Sequence, residues 1–211
     1  MLQRVNVTNE KALEALQQVD GIMTQVEDGR WFLVEHDVCG SDPLEGLGVG
    51  FLSTSRRHFT DDIYKSIDNK EGETFWVPDD FADCDEIEDF LARNDYIYIK
   101  VYCYDHGGLS LSRGSVCSWD SYPFGYLYLD KRQVREIFQV KRLSKKTLER
   151  AEKLLDSVLK EFDDYINGAQ YNVRIFSSPD MKDFIDSHFV SGYSDLCDFL
   201  EKELSQNREI A

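Results

Sequence analysis

The stretch YIYIKVYCYDHGGLSLSRGSVCSWDSYPFGYLYLD (residues 96–130) decides the fold. Its first nine residues alternate, with Ile97, Ile99, Val101 and Cys103 on one side and Tyr96, Tyr98, Lys100 and Tyr102 on the other. A period of two is the mark of a β-strand. GLSLS (108–112) and FGYLYL (124–129) supply two more short strands. The loops between them are too short for a parallel crossover, so an antiparallel meander is expected. His106-Gly107-Gly108 reads as a turn in which glycine allows positive φ. In the same reading Trp119 anchors the core, while Asp120 and Ser121 cap their loop through side-chain-to-backbone bonds.

On the C-terminal side, SKKTLERAEKLLDSVLKEFDDYIN (144–167) is a helix. Leu148, Ala151, Leu155, Val158, Phe162 and Ile166 recur at three- and four-residue steps, and Leu154 and Leu159 widen the stripe. Ser144 is its N-cap and Gly168 its C′ residue. KRQVREIFQV (131–140) before it is a shorter helix, and YNVRIF (171–176) after it a strand. Helices are then expected over 179–188 and 193–205, with SQNREIA fraying at the end.

On the N-terminal side, DCDEIEDFLARND (83–95) reads as a helix whose acidic start suits the dipole. The segment 61–80 holds a helical turn and a short aromatic strand. RWFLVEHD (30–37) and GVGFLSTS (48–55) are strands joined by the loop CGSDPLEGLG, and Thr8 or Asn9 caps a helix over 8–18. The fold class is therefore α+β: an antiparallel meander sheet against a long amphipathic helix, with a helical C-terminal tail. One domain over 1–176 with a helical extension over 177–211 is expected.

The chain of 211 residues carries a formal charge of −16, from 40 acidic against 24 basic residues. Direct nucleic-acid binding needs a surplus of Lys and Arg, so this balance excludes it and favours basic partners. No segment has the run of apolar residues a membrane span requires. Five cysteines (Cys39, Cys84, Cys103, Cys117, Cys197) lack CxxC spacing, and MLQRVNVTNEKALEALQQ lacks a signal-peptide core. Both features point to a reduced, cytoplasmic protein. No residue pattern specifies an oligomeric state.

The charge is clustered. Residues 79–95 hold Asp79, Asp80, Asp83, Asp85, Glu86, Glu88, Asp89 and Asp95 against Arg93 alone. Residues 131–150 invert this with Lys131, Arg132, Arg135, Lys141, Arg142, Lys145, Lys146 and Arg150 against two glutamates. Such runs are usually solvated faces; the sharper reading is that the acidic one imitates a phosphate track or docks on a basic groove. In helix 144–167, Lys145 and Lys146 begin the helix while Glu161, Asp163 and Asp164 end it. Each such charge opposes the macrodipole at a cost of about 0.3–1 kcal/mol.

For catalysis the candidates are His106, Cys117 and Asp120, with Asp105 beside them and His36, Asp37 and His58 upstream. A Cys–His pair oriented by an acid is a nucleophile arrangement, but this spacing matches no local cysteine-enzyme signature. A metal held by His36, Asp37, His58, His106 and Asp120 lacks HExxH or HxH spacing, so neither metal nor cofactor is expected. GLGVG (46–50) leads into a strand rather than a helix, and phosphate-loop, dinucleotide-binding and nucleophile-elbow motifs are absent.

Several elements recur in a fixed order: Tyr104-Asp105-His106, Cys117-Ser118-Trp119-Asp120-Ser121, Gly125-Tyr126-Leu127-Tyr128, KRLSKKTLE, then Glu161, Asp163, Tyr165 and Gly168. In these, residues 98–176 resemble a family of largely uncharacterised proteins of bacteriophages and other bacterial mobile elements. The resemblance covers about half to two-thirds of the chain and reaches upstream to Arg56-Arg57. Two positions depart from the pattern: Tyr122-Pro123-Phe124 replaces a small or polar turn, and Ser55 replaces a histidine before the arginines, with His58 after them.

The resemblance implies a phage or mobile-element origin without an activity. With the charge pattern, it leads to an accessory protein acting in the bacterial cytoplasm on a host protein with a basic nucleic-acid-binding surface. Anti-CRISPR or antirestriction inhibition is its most concrete form, with Asp79, Asp80, Asp83, Asp85, Glu86, Glu88 and Asp89 as binding residues. The alternatives are a hydrolase or transferase using His106, Cys117 and Asp120, and a structural or assembly protein.

Overall fold

The computed structural model describes residues 3–6, 9–19, 22–37, 40, 42–45 and 48–205. Thr8, Cys39, part of the 39–48 loop and the tail 206–211 lie outside them. The chain starts with β1 (Gln3–Asn6), α1 (Asn9–Leu16), β2 (Ile22–Gln25) and β3 (Trp31–His36). It continues through β4 (Gly50–Ser53), the 3₁₀ turn Asp62–Tyr64, β5 (Ser66–Asp68), β6 (Thr74–Trp76), α2 (Cys84–Arg93), β7 (Tyr96–Asp105), β8 (Leu109–Ser112), β9 (Ser121–Asp130), α3 (Lys131–Ile137) and α4 (Lys145–Ile166). It closes with β10 (Gln170–Phe176), β11 (Phe184–Ser191) and α5 (Tyr193–Ser205). Helices, sheets that are antiparallel except where β1 and β2 pair parallel, and a C-terminal helix make the class α+β, as the sequence indicates.

Two compact units result. One comprises Met1–Gly40 with Asp164–Ala211, and the other is the insertion Ser41–Asp163 between its halves. The boundary expected at 176/177 falls between two strands of the first unit, since β10 and β11 pair antiparallel from Gln170↔Ser191 to Phe176↔Phe184. The helix expected over 179–188 is accordingly a strand over Phe184–Ser191. Met181, Phe184, Ile185 and His188 are spaced like a helical stripe, but pairing with β10 supplies the backbone hydrogen bonds that a helix would otherwise have to make.

The first unit's sheet has the order β1-β2-β3-β10-β11. One face packs α1 and α5 through Ala12, Leu16, Val34, Val173, Leu196 and Leu200.

In the inserted unit, β4, β9, β7 and β8 form an antiparallel sheet in that order. The alternation of 96–104 appears as burial of Ile97, Ile99, Val101 and Cys103. Ile99 lies opposite Leu127, and Leu127 opposite Phe51, so these residues share a face. Phe51 meets Phe162 of α4 at 5.3 Å between ring centroids, with Phe59 and Phe124 completing an aromatic cluster. The tyrosine row takes the other face: Tyr96, Tyr98, Tyr126 and Tyr128 pack with Ile87, Phe90 and Leu91 of α2. Both faces are thus covered by a helix.

The long helix buries Ala151, Leu155, Val158, Leu159 and Phe162, each large side chain contributing roughly 1.5–3 kcal/mol. Ser144 caps its start by accepting the Thr147 N–H at 3.2 Å. Gly168, at φ +67°, ends it: the Gly168 N–H donates to Tyr165 O and the Ala169 N–H to Asp164 O, a Schellman closure. The acidic last turn finds tertiary partners. Asp163 accepts the Leu111 N–H at 2.7 Å and Asp164 accepts the Ser191 hydroxyl at 3.1 Å, so these charges hold strands in place.

Candidate functional site

The loops between β7, β8 and β9 are built by backbone demands. Gly107 has φ +82° and the His106 N–H donates to Gly108 O, which closes the turn after β7. Ser121 accepts the N–H groups of Val116 and Cys117 at 3.2 and 3.1 Å and returns its own N–H to Cys117 O. The Asp105 N–H donates to Asp120 O at 3.2 Å, bringing the two loops together.

Two histidine–carboxylate pairs follow: His106 Nδ1 lies 3.9 Å from Asp120 Oδ2, and His58 Nε2 lies 3.9 Å from Asp105 Oδ2. Both distances exceed hydrogen-bond length. Ser55 positions His58. It is buried, and its hydroxyl accepts the N–H groups of Arg57 and His58 at 3.2 Å each. Ser55 thus has a structural task.

Cys117 is half-buried among backbone groups, and no imidazole among the described residues hydrogen-bonds its thiol. The nucleophile–base contact of a cysteine enzyme is therefore missing from this arrangement. A thiol of the inserted unit that does have a side-chain partner is Cys103, which shares a hydrogen bond with Tyr122. Burial pushes Cys103 up, and burial with the neighbouring thiol pushes Tyr122 up to about 12. Both stay protonated at neutral pH.

Trp119 is 91% exposed at the loop surface, so it is not the core anchor its size suggests; Phe124 and Tyr126 fill that role, both fully buried. His36 and Asp37 belong to the first unit, and His58, His106 and Asp120 to the second. No group of three His, Cys, Asp or Glu side chains among the described residues is arranged to hold a metal ion.

The acidic segment divides into carboxylates that build the fold and carboxylates that do not. Asp83 caps α2 by accepting the N–H groups of Asp85 and Glu86 at 2.9 and 3.0 Å. Asp80 accepts the Trp76 N–H and Glu86 the Ala82 N–H. Glu88 accepts Lys100 Nζ at 2.8 Å and the buried Tyr126 hydroxyl at 3.1 Å. The Lys100 hydrogen bond, aided by Tyr126, holds the Glu88 carboxyl below its ordinary range against the opposing effect of burial. Asp95 pairs with Lys131 at 2.7 Å, joining the acidic and basic runs at one point.

Asp79, Asp85 and Asp89 remain: all three are exposed, and none of their carboxylates accepts a hydrogen bond within the described residues. Asp85 and Asp89 lie four residues apart on α2, a like-charge spacing that costs about 0.2–0.5 kcal/mol. The long basic run keeps Lys141, Arg142, Lys145 and Lys146 exposed, while Arg150 lies 4.4 Å over the Phe138 ring.

An open cleft of about 450 Å³ lies among β4, β9 and α3, lined by Gly50, Tyr96, Tyr128, Asp130, Arg132 and Glu136, with Gly48 and Gln133 at its edge. Gln133 completes a capping box with Asp130 and donates to Gly48 O at 3.0 Å. Asp130 also binds Arg132 at 3.0 Å. Sequence reading missed the cleft, because its walls come from three separated segments; the DKRQ capping box at 130–133 was the one local sign.

No family model, curated protein or solved structure matches this chain.

Proposed function

We propose that this chain is an accessory protein of a phage or mobile element that binds a basic, nucleic-acid-binding surface of a host protein. Occupying a defence nuclease in this way, as an anti-CRISPR or antirestriction inhibitor does, is its most concrete form. The observation that carries the reading is the exposed set Asp79, Asp85 and Asp89, whose carboxylates take no hydrogen bond or ion pair among the described residues although the chain carries a charge of −16. Asp85 suits the positive end of the α2 dipole, but Asp89 one turn later adds only like-charge repulsion to it. A positively charged partner supplies the compensation and speeds encounter. The thiol of Cys117, with no base beside it, weighs for binding over catalysis. The resemblance of residues 98–176 to phage and mobile-element proteins supplies the bacterial cytoplasm as the setting. No described helix is long and apolar enough to cross a membrane.

The experiment compares two baits in a bacterial lysate, the natural chain and an Asp79→Lys/Asp85→Lys/Asp89→Lys variant. These positions are chosen over Asp80, Asp83 and Glu86, whose carboxylates hold backbone N–H groups. The expected partner is recovered by the natural chain only, is released by salt, and is displaced by double-stranded DNA. Equal recovery by both baits, or a partner indifferent to DNA, overturns the reading.

A further inference from the structure

The outer edge of the first unit's sheet is built unlike an edge meant to stay free. β11 is the terminal strand of the order β1-β2-β3-β10-β11, and no strand among the described residues pairs with its far side. Soluble proteins guard such edges with short strands, prolines or charges, because unpaired N–H and C=O groups template further pairing. Here the edge runs for eight residues with one carboxylate, Asp186, and one register shift near its start as its guards, and presents Phe184, Ile185 and Phe189 at 58%, 48% and 53% exposure.

The hydrogen-bonding parity of β11 is fixed by its inner neighbour. The Gly192 N–H donates to Ala169 O at 2.8 Å, and the register continues from Gln170↔Ser191 without a shift to Ile175↔Asp186. Bonded pairs alternate in an antiparallel ladder, so Val190, His188 and Asp186 turn their backbone groups to β10. Phe189 and Ser187 turn theirs outward, and Ile185, which the register shift leaves without a partner in β10, is free on the same edge. Consistently, the Ser187 N–H donates to the adjacent Asp186 side chain rather than to β10. Asp186 and His188 stand together on one face, 3.2 Å apart, with the His188 ring 4.8 Å from Phe199 of α5. Ile185, Ser187 and Phe189 occupy the opposite face.

We propose that this edge receives a second copy of the same chain, β11 against β11 antiparallel, about a two-fold axis through Ser187. A two-fold interface must be complementary to itself, and this register is. Ser187 gives up the bond from its N–H to the Asp186 carboxylate and exchanges both backbone hydrogen bonds with Ser187 of the second copy. Ile185 and Phe189 of one copy face Phe189 and Ile185 of the other. Asp186 stands opposite His188 of the second copy, twice, in the closer non-hydrogen-bonded type of pair.

The neighbouring registers fail. Centring on Asp186 or His188 brings backbone groups already committed to β10. Centring on Phe189 sets Asp186 opposite Gly192 and His188 opposite Val190, removing the charge pairing. Centring on Ile185 sets His188 opposite Lys182. The paired edges extend two five-stranded sheets into one of ten strands.

This dimer does not rest on the proposed binding function, and salt separates the two. With −16 on each copy, self-association is opposed by long-range repulsion and tightens as salt screens it. Docking of an acidic face on a basic partner weakens under the same change.

The test is sedimentation velocity of the full chain across the micromolar to sub-millimolar range. The natural chain is expected to dimerise. Ser187→Pro removes an outward N–H, and with it the bond to the Asp186 side chain but none to β10, and is expected to raise the dimer Kd by ~30-fold or more, with thermal unfolding showing that the fold is retained. The register is tested by two further variants. Asp186→Lys sets a lysine against His188, and His188→Asp sets an aspartate against Asp186, so each alone is expected to be monomeric. Mixing the two variants brings the introduced lysine of one copy opposite the introduced aspartate of the other. It also keeps one native Asp186–His188 pair, and the mixture is expected to dimerise. A monomeric natural chain, a dimer that survives Ser187→Pro, or a mixture that stays monomeric overturns the proposal.

Discussion

Glu88 offers the sharpest test of the division between carboxylates that fold the chain and carboxylates free for a partner. Its Oε1 takes Lys100 Nζ at 2.8 Å and the Tyr126 hydroxyl at 3.1 Å. Tyr126 is fully buried, and Glu88 and Lys100 side chains are 33% and 25% exposed. Glu88→Ala leaves Lys100 without its counter-charge and Tyr126 with only the Cys84 carbonyl at 3.2 Å. Charge-assisted hydrogen bonds contribute about 1.5–3 kcal/mol, and stripping one partner from a half-buried pair falls near the top of that range. The expected loss at pH 7 is thus ~2–3 kcal/mol, with a Glu88/Lys100 coupling of at least ~1 kcal/mol in a double-mutant cycle.

The assay is urea unfolding of the natural chain and Glu88→Gln between pH 7 and pH 3. Lys100 holds the folded carboxyl below the unfolded value of about 4.3. Its contribution is therefore complete above that pH and lost as pH falls through the lower folded value. The two unfolding curves should converge on acidification. A gap that stays constant over this range, or a coupling indistinguishable from zero, refutes the assignment of Glu88 to the fold.

By contrast, Asp85→Asn and Asp89→Asn should change unfolding free energy by less than ~0.5 kcal/mol, the range for surface substitutions, in the same urea assay. Gly50→Ala should destabilise by ~1–3 kcal/mol; a Cβ there would stand 2.2 Å from the Tyr128 ring, so Gly50→Ala combined with Tyr128→Leu should recover part of the midpoint. Among thiols, Cys117 should react with iodoacetamide in the folded chain while fully buried Cys103 reacts only after denaturation, as read by peptide mass mapping.

Strand 96–105 and helix 145–166 were legible because burial repeats along them, every second residue in one and every third or fourth in the other. Ser144 and Gly168 were legible because caps obey local rules. β11 was not. Its exposed side chains carry no alternating burial, and the register shift opposite Ile175 and Phe176 leaves Ile185 as an extra residue that breaks the period of two. Trp119 misled because side-chain size predicts burial only on average, and its position is set by the hydrogen bonds of Ser121. In the acidic segment, composition exposed the cluster but not its division. Whether Asp83 caps a helix or faces a partner depends on where the Asp85 N–H points. The cleft and the two units escaped for a related reason: they join segments remote in the chain, as β3 joins β10.

That last pairing makes the insertion the turn of a hairpin. β3 leaves and β10 returns side by side, with the Asp37 N–H donating to Gln170 O at 2.8 Å, and about 120 residues stand where a short turn would do. If those residues were unstructured, closing the hairpin over them rather than over ~4 residues would cost about 3 kcal/mol of chain entropy. Once the insertion has folded, that cost is already met. The folding of one unit thus steadies the other through the connectivity of the chain alone. A lesion deep in the insertion, such as one at Phe162, should register as a lower stability of the β3–β10 ladder.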